Sequence, residues 1–168
     1  MVDGRSLIDP LRNPDGSLDR TALLEILPYG EDFLFVDRVS RLTPEEVEAS
    51  FHIPDRAPYL DSHFVDLPLM PGALIGEGLA QAGSVIVRYN LPSPEDRHVL
   101  ALQIESARFL APAQPGQTLH YCVRLKAMDR RAARLEGEAR IDERKVCQAR
   151  LVVAIVGRED LRARLRES

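Results

Sequence analysis

The sequence predicts an α+β protein in which one antiparallel sheet encloses a single long helix. Three observations carry that expectation. Gly72 to Leu91 contains no proline, and from Ala73 to Val87 its only formally charged residue is Glu77; a helix apolar nearly all round belongs in the interior of a protein. The chain beyond Pro92 divides into four strand-like segments separated by short polar turns, the pattern of a meander. No other stretch is long enough to form a second core helix, so the sheet itself must cover the first.

The elements follow in order. Residues 1–19 are rich in turn formers (Asp9-Pro10, Asn13-Pro14-Asp15-Gly16) and read as an arm lying on the surface or on a partner, with little to bury. Asp19 is placed to cap a short helix running to Leu27, with Leu23, Leu24 and Leu27 on one face and Pro28 as its stop. Phe33 to Val39 and Val47 to Ile53 are strand candidates around the polar Thr43-Pro44-Glu45-Glu46 turn. An irregular stretch with Pro54, Pro58, Pro68 and Pro71 leads into the long helix, and its prolines fix the local backbone. The later strands are expected at 98–110, 118–128, 133–141 and 145–156, punctuated by Pro115-Gly116, Asp129-Arg130-Arg131 and Asp142-Glu143-Arg144. Arg158 to Arg166 suits a short solvated helix. The domain plan is an arm at 1–19, one domain at 20–157 and a short helix or tail at 158–168.

Composition narrows the function. With 168 residues a single domain is expected. A formal charge of −4, no Trp and 5% aromatic residues argue against a nucleic-acid surface. Cys122 and Cys147 are the only cysteines; they lack metal-ligand spacing and sit in strand patterns as small core residues. The chain lacks an uncharged apolar run of about 18 residues, so no membrane span is expected. Asp3, Arg5, Asp9 and Arg12 leave no room for a secretory signal, and the expected location is cytoplasmic.

Within the helix, Glu77, Gln81, Ser84 and Arg88 recur at i, i+4, i+7 and i+11 as a polar stripe. A second stripe of Gly72, Gly76, Ala80 and Gly83 invites close backbone approach. Burial disfavours an ionised carboxylate at Glu77, whereas its place in the early turns of the helix favours one. Such opposed influences suit a group that gives and takes a proton. Glu77 also fits as a core residue satisfied by a neighbouring amide or Arg. His52, His98 and His120 lie in strand patterns and read as structural. His63 differs because it stands in the proline-set loop fourteen positions before Glu77. Pro71 suits a helix start, and the Gly72 amide then has no intrahelical acceptor, so it can bond a carbonyl oxygen on which charge develops. A base, an acid and an oxyanion donor thus come from one stretch of fifteen residues.

The run His63-Phe64-x-x-x-Pro68-Leu69-Met70-Pro71-Gly72, followed by Glu77-Gly78-Leu79-Ala80-Gln81-Ala82, resembles the (3R)-3-hydroxyacyl-[acyl-carrier-protein] dehydratases of fatty-acid synthesis. The likeness extends to Phe33-Leu34-Phe35-Val36-Asp37-Arg38-Val39, to Ala107-Arg108-Phe109 with Pro112, and to Pro115-Gly116-Gln117, covering roughly Leu27 to Val156. It implies the hotdog fold, an antiparallel sheet wrapped around a long central helix and paired as a dimer or a larger assembly of dimers. It also implies that His63 and Glu77 are catalytic, that the Gly72 amide binds the thioester carbonyl, that Gln81 supports the carboxylate, and that Phe64 and Met70 line the substrate site. By the same resemblance, each site takes its histidine from one chain and its carboxylate from the other. The reaction implied is loss of water from a 3-hydroxyacyl thioester to give the trans-2-enoyl thioester, with an acyl carrier protein as partner and no metal or organic cofactor. The alternatives are a hotdog acyl thioesterase and a non-catalytic acyl-binding subunit. Three departures from the family stand out. Val65-Asp66-Leu67 replaces a Pro-Gly-His, and Ser62 replaces a glycine before the histidine. Leu110-Ala111 follows Phe109 where further basic residues are usual, leaving Arg88, Arg108, Arg158, Arg162, Arg164 and Arg166 as the basic groups that could meet an acidic carrier.

Overall fold

A computed structural model describes residues 3–64 and 66–166. Helix α4, Gly72–Asn90, is the axis of the fold, and from Gln81 to Arg88 every residue is buried. A rod with no polar face for water must be covered on all sides, and six strands do most of the covering. They are β1 (Arg38–Leu42), β2 (Glu46–His52), β3 (Arg97–Phe109), β4 (Thr118–Met128), β5 (Ala132–Ile141) and β6 (Arg144–Gly157). All pairs are antiparallel, in the order β1-β2-β4-β5-β6-β3. α4 packs against β2, β3, β4, β5 and β6. Register shifts interrupt four of the five ladders, two of them in the long β3–β6 pair. Such bulges increase local twist, which lets one sheet curl around a cylinder.

The four later strands fall within one residue of their expected ends. The early chain differs from expectation in two places. Phe33 to Val39 is not one strand: Glu31–Phe33 is a 3₁₀ turn, Leu34 to Val36 are buried without forming a ladder, and only Arg38–Leu42 pairs with β2. These apolar residues are held by packing and by side-chain bonds. Arg20 donates to Asp37 at 2.6 Å and to the Glu31 carbonyl at 2.7 Å, and the Asp37 carboxylate accepts the His52 amide at 2.7 Å. The first nineteen residues also bury apolar surface. Helix α1 (Gly4–Ile8) lies against the end of α4, Ile8 and Leu18 are buried, and the Gly4 amide donates to the Leu91 carbonyl at 2.8 Å. A side chain at Gly4 would overlap the Arg88 carbonyl. Helix α2 (Arg20–Ile26) follows, capped as expected by Asp19, which accepts the Ala22 amide. A short helix α3 (Pro58–Asp61) precedes the His63 loop, and α5 (Arg158–Arg166) has no buried residue.

Close approach to α4 occurs at Gly72, Gly78 and Gly83, not along the whole stripe of small residues. A Cβ at Gly78 would overlap the Tyr121 hydroxyl, and one at Gly83 would lie 2.6 Å from Leu135 Cδ1, whereas Gly76 faces open space. The Tyr121 hydroxyl is buried and has no hydrogen-bond partner among the described residues. An unpaired buried hydroxyl is destabilising, so Tyr121→Phe is expected to match or exceed the parent in urea unfolding. Gly78→Ala, which overpacks the same contact, should lose about 1–3 kcal/mol; equal midpoints for the parent and Gly78→Ala would contradict this packing.

Candidate functional site

The His63 loop is tied down at its far end. The Met70 amide donates to the Ala113 carbonyl at 2.8 Å, which fixes the loop to the β3–β4 connection. His63 is exposed, and its Nδ1 lies 3.1 Å from the Leu69 carbonyl oxygen. A carbonyl only accepts, so Nδ1 is the donor and in the neutral ring Nε2 is the nitrogen without a proton. His63, Met70 and Gly72 line one cavity of about 330 Å³, walled further by Ile75, Phe109 and Pro112. Pro71 precedes the first helical residue, and the first amides of α4 with acceptors are those of Leu74 and Ile75, both to Pro71. The Gly72 amide therefore has no backbone acceptor among the described residues, as helix geometry requires. The Phe109 ring packs on Gly72, where a Cβ would come within 2.8 Å of it. Phe64 packs against the His63 ring with centroids 4.3 Å apart and the rings tilted by 50°, and it is otherwise exposed. Val65 lies outside the described residues, so the departure Val65-Asp66-Leu67 is described only for Asp66 and Leu67, both exposed.

Glu77 does not line the cavity that holds His63. Five residues beyond Gly72 on a helix place it about 140° around the axis. Within one chain Glu77 does not converge with His63 and Gly72, because it faces a different side of the rod. The Glu77 carboxylate instead meets the segment between α2 and β1. Gln81, fully buried, orients it: Gln81 Oε1 accepts the Phe35 amide at 2.8 Å, while Nε2 donates to the Phe33 carbonyl at 2.8 Å and to Glu77 Oε1 at 3.0 Å. Both amide hydrogens are used, so the Gln81 side chain has one orientation. The remainder of the polar stripe is structural. Ser84 bonds back to the Ala80 carbonyl, and Arg88, 7% exposed, donates to the Pro94 and Arg97 carbonyls. Arg88 is thereby removed from the basic groups that could meet a carrier, while Arg108 stays on the surface.

Tyr29 was not singled out by the sequence pattern. It sits in the Leu27-Pro28-Tyr29-Gly30 link, its ring 6.0 Å from that of Phe33, and its phenol stands beside the Glu77 carboxylate. Burial, and then the Glu77 charge and hydrogen bond, push the phenol up to about 12. A tyrosine after Pro28 carries no local signal of this contact, which is made across 48 residues. Burial likewise pushes the Cys147 thiol up to about 11, the mark of an inert core residue. Among the described residues no three His, Cys, Asp or Glu side chains are grouped so as to hold a metal ion, and no helix is long and apolar enough to cross a membrane.

A long helix inside a curled antiparallel sheet, with a histidine loop at its start, defines a hotdog domain. The chain belongs to the FabA-like family, whose domain model matches residues 27–150. It is 36% identical over 157 residues to the 3-hydroxyacyl-[acyl-carrier-protein] dehydratase FabZ of Nitratidesulfovibrio vulgaris (strain DSM 19637 / Miyazaki F), covering 92% of this chain and 100% of that protein. The FabZ of Oleidesulfovibrio alaskensis is 36% identical over 146 residues, covering 86% and 95%. Among solved structures, the dehydratase heterocomplex ApeI:P from Xenorhabdus doucetiae superposes with a TM-score of 0.72 at 18% identity, over 85% of this chain and 96% of that one. A mutant thioesterase from Pseudomonas aeruginosa superposes at 0.62 with 17% identity, over 83% and 94%. At those identities the structural likeness concerns the fold alone.

Replacing Gln81 by Leu keeps the volume and removes the clamp. The Phe35 amide is then buried without an acceptor and the Phe33 carbonyl loses its donor, so the variant should lose about 2–4 kcal/mol in denaturant unfolding. A loss below about 0.5 kcal/mol would mean the amide bonds are not what holds residues 33–35.

Proposed function

We propose that this protein removes water from a (3R)-3-hydroxyacyl thioester carried on an acyl carrier protein, giving the trans-2-enoyl thioester in fatty-acid or related synthesis. The observation that carries the reading is the shared cavity of His63 and the unbonded Gly72 amide, with a carboxylate held ready on another side of the same helix. The thioester carbonyl accepts from the Gly72 amide, which stabilises enolate-like charge at the positive end of α4. Nε2 of His63 takes the α-proton, and the Leu69 carbonyl bonded to Nδ1 stabilises the imidazolium that forms. Because Gln81 presents a donor to Glu77 Oε1, the proton of the acidic form sits on Oε2. That proton goes to the leaving hydroxyl as the C–O bond breaks, the C=C bond forms and water departs. Each placed acid or base commonly contributes ~10²–10⁴-fold.

The reading includes a second copy of the chain. Strand β3 ends the sheet and carries Leu102 and Ile104, each 63% exposed, with Leu100 and Phe109 also open to solvent. A long apolar edge strand is a ready surface for pairing with another chain. Pairing there supports an arrangement in which Glu77 of one subunit faces His63 of the other across the site.

His63→Ala and Glu77→Gln should each abolish enoyl formation while leaving the melting temperature near that of the parent. Near-normal rates in both would remove these roles. Release of free thiol in place of enoyl product would favour thioester hydrolysis, and binding without turnover would favour an acyl-binding subunit. Equal amounts of the two variants, unfolded and refolded together, test the composite site. Random pairing makes half the dimers mixed, each with one intact site of two, so activity should return to about a quarter of wild type. No recovery would place both groups in sites made by a single chain.

A further inference from the structure

A pocket of about 400 Å³ opens on the side of the sheet turned away from α4. A Cβ at Gly137 would lie 3.1 Å from Leu79 of α4, so Gly137 faces the helix and its neighbours Glu136 and Glu138 face outward. The ladders carry that outward face across β6 to β3. Glu136 lies opposite Arg150 and Glu138 opposite Gln148, and these lie opposite Ser106 and Arg108 in turn. All six line the pocket, and no residue that lines it also lines the His63 cavity.

Three of the charged side chains there are already neutralised. Arg124 lies 2.7 Å from Glu46, Glu136 lies 3.6 Å from Lys126, and Glu138 holds both Arg140 at 2.8 Å and Lys145 at 2.6 Å. Arg108 and Arg150 make no ion pair among the described residues, and the half-buried Gln148 amide bonds no side chain or backbone group there. Arg150 is nevertheless held in place: its Nε donates to Ser106 Oγ at 3.1 Å. Ser106 accepts that bond, so its own hydrogen is left to donate. Arg108 and Arg150 are diagonal neighbours across the β3–β6 pair, a separation that long side chains span. Two uncompensated guanidinium groups, an amide and a hydroxyl therefore border one hollow.

We propose that this pocket binds a small soluble phosphomonoester, its phosphate held between Arg108 and Arg150 and bonded by Ser106 and Gln148. A phosphate ester brings nearly two negative charges and three acceptor oxygens, which matches two unpaired cations and two neutral donors; a carboxylate brings one charge and two oxygens. Guanidinium groups meet phosphate oxygens two at a time, which is the use for which arginine is suited over lysine. The pocket is larger than a phosphate group, so the organic part of the ester lies within it as well. The site is independent of the dehydration reading.

The test titrates the full chain with ribose 5-phosphate at low ionic strength, followed by calorimetry, with ribose as the uncharged control. Saturable binding with a Kd of about 1 mM or below is expected, and none of ribose. Arg108→Gln and Arg150→Gln should each raise Kd about ten-fold or more. Arg130→Gln, which removes the same charge from the β4–β5 turn outside the pocket, should leave Kd within about two-fold. In ¹⁵N-labelled parent protein, the amide shifts caused by ribose 5-phosphate should gather at residues 106–108 and 148–150. Failure to saturate, equal binding of ribose, the same loss in Arg130→Gln as in Arg150→Gln, or shifts centred on another part of the chain overturns the proposal. If the arginine variants do not fold, the shift map of the parent decides alone.

Discussion

One buried amide joins the fold to its chemistry. Gln81 is fully enclosed, yet every hydrogen-bonding position of its side chain that the backbone and Glu77 can reach is used. A buried polar group is tolerated only when satisfied, and here the satisfaction requires the 33–35 segment to lie against α4. That segment in turn begins the chain that becomes β1 and so opens the sheet. The same three bonds therefore fix where the sheet starts and which way a carboxylate points.

The sheet answers a constraint set by α4. A helix without a polar face must be wrapped, and among the described residues there is no second helix of comparable length. Bulges in the ladders provide the curl, while α1 closes the end of the rod that the strands leave open. Glycine appears where the wrapping is tightest, under Tyr121 and Leu135. Curling leaves β3 as the final strand of the sheet with Leu102 and Ile104 exposed, so the enclosure of α4 and an open apolar edge arise from one arrangement.

Much of this was legible in the sequence, and the failures have physical causes. The later strands could be read because Pro115-Gly116, Asp129 and Asp142 stop them sharply. Phe33 to Val39 looked like one strand because periodicity registers burial and not hydrogen-bond partners; Leu34 to Val36 are buried without a ladder, and pairing begins only at Arg38. The 1–19 arm looked polar because Ile8 and Leu18, which seat it, are isolated among turn formers. His63, Gly72 and Glu77 were candidates from residue type and order along the chain, and the structure sets His63 and Gly72 at one cavity with Glu77 away from it. The angular separation of Gly72 and Glu77 on α4 follows from helix geometry. Tyr29 could not be picked out, since its nearness to Glu77 arises only on folding.

The seating of α1 has a consequence for how the molecule tolerates change. Gly4 touches the last carbonyls of α4 so closely that no side chain fits, while Arg5 and Ser6 beside it are exposed. A saturation library across this polar turn would thus accept variety at Arg5 and Ser6 and reject nearly everything at position 4. Tolerance there would follow backbone clearance rather than hydrophobicity, and alanine, the mildest of replacements elsewhere, would be enough to unseat the helix.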